Sequence, residues 1–252
     1  MFDFTQQVVV VTGAGSRHGI GRAIALDFAR LGAKVAVTGQ KVDGIQSTVA
    51  AVEAVGGEAL GIVHDVASKE SSDEMVKAVL GRWGRLDVLV NNAGISQKVT
   101  VEDLSLEDIH RLFAVNVYGL MLCSQSCLKP MKAAGYGRIV NLSSVSGKRG
   151  GGVFGGAHYS ASKAAVLAFA KNLAREVSAY GITVNSVCPG LIKTDIWQGL
   201  SMEDAARVVD SVPVGRLGET GEVSPAVIFL ASKEASYITG EEIDINGGSH
   251  MD

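Results

Sequence analysis

The feature that most constrains this chain is the alternation of short β-branched runs, several of them apolar at every position, with longer amphipathic stretches. Val8 to Thr12, Lys34 to Thr38, Ala59 to Val63, Asp87 to Val90, Arg138 to Leu142, Thr183 to Val187 and Glu242 to Ile245 read as strands. A strand with one solvated face alternates apolar and polar residues. Runs such as Val8-Val9-Val10-Val11 do not, which places them in a parallel sheet covered on both faces. Between them, Ile20 to Leu31, Gly44 to Val55, Lys69 to Trp83, Leu106 to Ala133, Tyr159 to Tyr180 and Gly221 to Ala231 read as helices. The expected fold is α/β, a doubly wound parallel sheet of about seven strands with helices on both faces. No linker, repeat or low-complexity tract divides residues 1–252, so one domain is expected.

Composition removes several function classes. At 47% hydrophobic and 19% charged, the 252 residues are too apolar for a disordered chain. Twenty-three basic residues against 26 acidic ones, a net charge of −3, leave no electrostatic footprint for nucleic acid or an anionic membrane. No run approaches the ~18 apolar residues that cross a bilayer. Cys123, Cys127 and Cys188 make no disulfide framework, and Met1-Phe2-Asp3-Phe4 lacks the features of a signal peptide, so a reducing, cytoplasmic setting is expected. His18, His64, His110, His158 and His250 show no HxxxH or HExxH spacing, and no metal site is expected.

In a doubly wound sheet, ligands bind beyond the carboxyl ends of the strands, where strand order reverses. After the first strand comes Thr12-Gly13-Ala14-Gly15-Ser16-Arg17-His18-Gly19-Ile20-Gly21, leading straight into a helix. Glycine lets the backbone approach a pyrophosphate, and the helix start contributes amide donors and partial positive charge. The rival phosphate cradle, GxxxxGK[ST], is absent.

With these motifs in order, the chain resembles the short-chain dehydrogenases/reductases of the compact, single-domain type. The likeness covers nearly all 252 residues. It rests on the glycine-rich turn, Asp65 after the third strand, Asn91-Asn92-Ala93-Gly94 after the fourth, and Asn116 in the long helix. It continues with Ser143-Ser144 after the fifth, Tyr159-Ser160-Ala161-Ser162-Lys163, Pro189-Gly190 after the sixth, and Asp244-Ile245-Asn246-Gly247-Gly248. The resemblance implies a Rossmann-like fold, one dinucleotide-binding and catalytic domain over 1–252, and an oxidoreductase. Two loops depart from the family. Five residues separate Gly13 from Gly19, two more than usual, and Tyr159 lies fifteen residues after Ser144, again two more.

The resemblance implies that Gly13, Gly15, Gly19, Ile20, Gly21, Asp65, Val66, Asn92, Ala93, Gly94, Pro189, Gly190, Ile192 and Thr194 surround a nicotinamide dinucleotide. NAD-using relatives place an acid after the second strand to hold the ribose hydroxyls, and a 2′-phosphate would be repelled there. Here that position is Gly39, followed by Gln40 and Lys41, with Arg17 and His18 in the enlarged glycine turn. NADP(H) is therefore favoured and NAD(H) is the alternative. Asp65 has two readings, an adenine contact or the N-cap of the helix that follows.

Hydride transfer to a carbonyl needs an acid, and the reverse needs a base. Free tyrosine titrates near pH 10, too high for an efficient base at neutral pH, and a nearby ammonium favours the phenolate. Tyr159 and Lys163 stand at i,i+4, on one face of a helix. By resemblance Tyr159 is the general acid/base and Ser144, with Ser143 as runner-up, bonds the substrate oxygen. Lys163 binds the nicotinamide ribose and depresses the tyrosine, and Asn116 holds a relay water.

The segment Lys148 to His158 is glycine-rich and basic, and Arg149 or Lys148 is expected to meet an anionic group of the substrate. His158 and Trp197 are further substrate candidates. Residues 191–212 form a lid in similar proteins, and Ile196, Trp197 and Leu200 give it an apolar face here. Carrier-protein thioester reductases of this kind carry basic residues at two places that here read Ala133-Ala134-Gly135-Tyr136-Gly137 and Tyr180. A small ketone or secondary alcohol is therefore the favoured substrate, and a polyol or sugar alcohol with NAD the alternative. A 3-oxoacyl thioester and a non-catalytic nucleotide-binding role rank lower. The two long helices pair across subunits in relatives, so a homotetramer is expected.

Overall fold

The computed structural model describes residues 2–195 and 209–252. Strands β1 (Val8–Val11), β2 (Lys34–Gly39), β3 (Glu58–Val63), β4 (Val88–Asn91), β5 (Gly137–Leu142), β6 (Ile182–Pro189) and β9 (Glu242–Ile245) form one sheet in the order β3-β2-β1-β4-β5-β6-β9. Every pairing in it is parallel. Two short strands, β7 (Ile192–Lys193) and β8 (Gly218–Glu219), pair separately.

The apolar runs are buried for the reason their sequences gave. All four β1 residues are inaccessible, and they alternate between two cores. Val9 and Val11 pack with Ile24 and Phe28 of α1 (Ile20–Arg30) and Val227 of α8 (Thr220–Ala231). Val8 and Val10 face the other side, with Met75 and Val79 of α3 (Lys69–Trp83), Cys123 and Cys127 of α5 (Leu120–Ala134) and Leu173 of α7 (Ala157–Val177). Both cysteines are thus small core side chains.

The stretch expected as one helix over 106–133 is broken in three. Helix α4 (Leu106–Phe113) passes into a widened π-type turn over Ala114–Gly119 before α5 begins. Helix α2 (Val42–Ala54) begins slightly earlier than expected, and α6 (Val145–Arg149), a helix of five residues, is too short to show in the apolar pattern.

Chain order runs outward from β1 through β2 to β3, then returns to β4 on the other side of β1. The reversal opens a crevice where β1 and β4 end, at Thr12-Gly13 and Asn91-Asn92, and the candidate site lies there.

Candidate active site

The crevice is built by backbone groups that converge on Thr12 and Asn92. Thr12 Oγ1 accepts from the amides of Asn92 (3.0 Å) and Ala93 (3.1 Å). Asn92 Nδ2 donates to the carbonyls of Thr12 (2.8 Å) and Gly13 (3.1 Å). Gly13 has φ +65°, and a Cβ there would lie 2.7 Å from Ala93 Cα, so only glycine fits. Gly19 stands at the N-cap of α1 without a side-chain cap, leaving the helix start free to bind an anion.

This cleft is about 720 Å³. Gly13, Gly15, Gly19, Ile20, Gly21, Gln40, Lys41, Val66, Asn92, Ala93, Gly94 and Thr194 line it, with Gly39 in place of an acid. Arg17, His18 and Asp65 do not. Arg17 is exposed to solvent. His18 Nδ1 lies 2.8 Å from Asp195 Oδ1, and Ser16 Oγ donates to Asp195 Oδ2 at 2.7 Å. The enlarged turn is thereby tied to the segment after β7, and both hydrogen bonds hold the Asp195 carboxyl below its usual range. Asp65 accepts from the Ala67 amide (3.0 Å) and from Gln40 Nε2 (3.5 Å). The N-cap of α3 is Ser68, whose hydroxyl accepts from the Ser71 amide, so the capping reading of Asp65 is corrected.

A second cleft of about 250 Å³ shares Ile20, Asn92, Gly94 and Thr194 with the first and reaches Ser144, Tyr159, Lys163, Pro189, Gly190 and Ile192. Ser144 lies two residues past β5 and caps α6, accepting from the Ser146 amide at 3.1 Å. Burial raises the Tyr159 pKa, and the nearby Ser144 hydroxyl opposes the rise. Ser143 is committed elsewhere: its hydroxyl donates to the Lys163 main-chain carbonyl at 2.8 Å, fastening β5 to α7. Geometry thus separates two serines that chemistry alone could not.

Lys163 is 5% exposed; its Nζ donates to the Leu142 carbonyl (2.8 Å) and lies 5.9 Å from the Tyr159 ring centroid. Burial lowers its pKa to about 8. The ammonium is therefore poised to give up or take a proton near neutral pH. Asn116 occupies the widened turn, a device common at functional sites. Its Oδ1 accepts from the Ile95 amide (2.8 Å), and its Nδ2 donates to the Ile95 carbonyl (2.9 Å) and Ser162 Oγ (3.1 Å). The side-chain amide is thus occupied in joining the loop after β4 to α7.

Two glycines that the sequence reading passed over set this geometry. A Cβ on Gly147 would lie 2.7 Å from the Lys163 backbone, and one on Gly155 would lie 2.3 Å from Tyr159 Cδ1. Their common signal is a glycine within reach of Ser144 or Tyr159 in sequence, which spacing alone does not single out.

The outer candidates diverge. Arg149 lines the second cleft. Lys148 does not: its ammonium lies 2.8 Å from Asp244, 2.7 Å from Asp252 and 3.7 Å from Glu242, which corrects the expectation that it meets substrate. His158 is buried against Gly156 and is not among the cleft's lining residues. Trp197, Ile196 and Leu200, with most of the expected lid, lie outside the described residues.

A family model described as Enoyl-(Acyl carrier protein) reductase matches residues 13–250. Over 244 residues, 96% of each chain, the protein is 43% identical to an uncharacterized short-chain type dehydrogenase/reductase of Sinorhizobium fredii. Over 249 residues, 99% of each, it is 39% identical to the 3-oxoacyl-[acyl-carrier-protein] reductase of Escherichia coli. The crystal structure of a short-chain type dehydrogenase/reductase from Mycobacterium marinum matches it with a TM-score of 0.95 at 35% identity, covering 100% of this chain and 98% of that one. The chain belongs to the short-chain dehydrogenase/reductase family, oxidoreductases that act on CH–OH/C=O groups and bind NAD(P)(H). Among the described residues, no helix is long and apolar enough to cross a membrane.

Proposed function

We propose that this protein transfers a hydride between NADP(H) and a small ketone or secondary alcohol, with Tyr159 as general acid/base. The observation that carries the reading is the meeting of Ser144, Tyr159 and Lys163 in one cleft continuous with the dinucleotide-sized crevice. That crevice suits a dinucleotide on its own geometry: Gly13 and Gly21 have no room for a Cβ, and α1 opens on an uncapped end. When bound, the nicotinamide supplies or accepts the hydride. In reduction, the Tyr159 phenol donates its proton to the carbonyl oxygen while the Ser144 hydroxyl holds that oxygen by a hydrogen bond. Lys163 favours the phenolate that remains and holds the nicotinamide ribose, and Asn116 fixes the wall against which Lys163 sits. A relay water at Asn116 would rest on its main chain, since its side-chain amide is engaged.

The NADP(H) preference rests on Gly39 where an acid would stand, with Gln40 and Lys41 lining the cleft beside it. Calorimetric titration with NADPH and NADH tests this. NADPH should bind about tenfold more tightly, about 1.4 kcal/mol. Equal or tighter NADH binding would overturn it and favour an NAD-dependent polyol or sugar-alcohol dehydrogenase.

A 3-oxoacyl thioester is the second reading, favoured by 39% identity to a reductase of that name. Against it, the two places expected to dock an acidic carrier hold Gly135 and Tyr180, and the nearby Lys132 ammonium is stacked 4.4 Å over the Tyr180 ring. We also propose a homotetramer, since the half-buried Met121, Leu122, Leu128 and Phe169 line an apolar groove between α5 and α7. A cytoplasmic setting accords with three buried free thiols.

A further inference from the structure

The catalytic cleft has a charge bias that fixes the far end of its substrate. Among the described residues that line it, the charged side chains are Lys163 and Arg149, and no carboxylate is present. Lys163 is buried beside Tyr159. Arg149 is exposed, and its one hydrogen bond among the described residues runs from Nη1 to the Ser249 carbonyl at 2.7 Å. A guanidinium carries five N–H donors, so most remain available. Its neighbour Lys148 turns the other way, into Glu242, Asp244 and Asp252. Those acids do not line the cleft.

Helix α6 supplies a ruler. Ser144 caps its first turn and Arg149 is its last residue, with Gly150 following at a positive φ of +73°. Five residues at 1.5 Å each place the two about 7.5 Å apart along the axis. An arginine side chain can fold back over part of that span. An anion held by Arg149 then stands roughly two to four carbons from an oxygen held by Ser144 and Tyr159. The cavity of about 250 Å³ suits a small molecule.

We propose that the substrate is a small ketone or secondary alcohol with an anionic group, a carboxylate or phosphate, held by Arg149 at the mouth of the cleft. This rests on the hydride-transfer reading above and narrows it to short oxo or hydroxy anions. A carboxylate or phosphate is met by the planar guanidinium through two parallel hydrogen bonds, whereas an ester of the same acid presents no charge to it.

The test is calorimetric titration of the enzyme in complex with its oxidised dinucleotide, which cannot reduce a ketone. The carboxylate arm compares acetoacetate with methyl acetoacetate; the phosphate arm compares hydroxyacetone phosphate with hydroxyacetone. At least one anion should bind ten times more tightly than its neutral counterpart. Arg149→Gln should erase that preference and Arg149→Lys should keep part of it. The arm that responds identifies the anion. No preference in either arm, no binding in either, or a preference that survives Arg149→Gln would overturn the proposal. Steady-state reduction of methyl acetoacetate separates the two readings. If it proceeds without any anion preference, hydride transfer stands and the anion site falls; if no ketone is reduced although the preference persists, the reverse holds.

Discussion

Gly21→Ala tests whether the crevice is held by the contacts described. Gly21 is the second residue of α1 and has ordinary helical backbone, so alanine brings no backbone strain and even gains about 0.5–1 kcal/mol of helix propensity. The obstacle is space. An added Cβ would lie 2.4 Å from Asn92 Nδ2 and 3.0 Å from Ala14 Cα. Asn92 cannot retreat without releasing the carbonyls of Thr12 and Gly13, to which it donates at 2.8 and 3.1 Å. Overpacking costs about 1–3 kcal/mol and each lost hydrogen bond about 1 kcal/mol. Set against the propensity gain, the net loss is about 2–4 kcal/mol, or a fall in Tm of roughly 4–16 °C for a chain of this size. The Kd for NADPH should rise with it, because the displaced loop lines the cleft proposed to hold the dinucleotide. Gly81→Ala is the control: it lies inside α3 with nothing within 4 Å of its added Cβ, and should leave Tm unchanged or raise it. Thermal melts and NADPH calorimetry on both variants decide the matter. A Gly21→Ala protein that melts and binds like wild type would refute the packing argument.

Two further outcomes follow from groups outside the reacting centre. His64 is 2% exposed, between Thr38 (Nδ1, 3.1 Å) and Ser72 (Nε2, 3.1 Å), and burial lowers its pKa to about 4 from 6.5. The unfolded chain takes up that proton first, so stability present above pH 6.5 is lost as the pH falls towards 4, by about 3 kcal/mol. His64→Gln should flatten the urea midpoint across that range, and an unchanged slope would show that other groups carry the acid sensitivity. Asp195→Asn weakens the tie to Ser16 and His18 at the edge of the larger cleft. With the pair largely exposed, the tie is worth about 1 kcal/mol, and NADPH dissociation measured by stopped-flow fluorescence should quicken about fivefold. An unaltered rate would mean that the tie does not restrain the cofactor.

Much of the fold was legible because parallel strands carry their burial in the sequence. Val8–Val11 is apolar at every position since both faces of β1 are covered, and the glycines after it announce a turn whose backbone must come close to something. Legibility failed where tertiary contacts decide. No periodicity in 106–133 marks the widened turn at Asn116, because the apolar face continues through it. Lys148 and Arg149 look alike as adjacent basic residues, and only the return of β9 and residues 246–252 gives one of them three carboxylates. His18 was expected near a phosphate on charge alone, whereas its partner, Asp195, is 177 residues away. Ser143 and Ser144 were equivalent until α7 claimed the first hydroxyl for a carbonyl.

The most direct test of hydride transfer through this site is single-turnover reduction of a small ketone by NADPH in Tyr159→Phe. The substitution removes one hydroxyl from a half-buried ring packed against Gly155 and leaves Ser144 and Lys163 in place. The account predicts that the rate falls by about 10²–10⁴ while calorimetry shows NADPH still bound. Turnover at the wild-type rate would contradict the role of Tyr159 and the mechanism built on it.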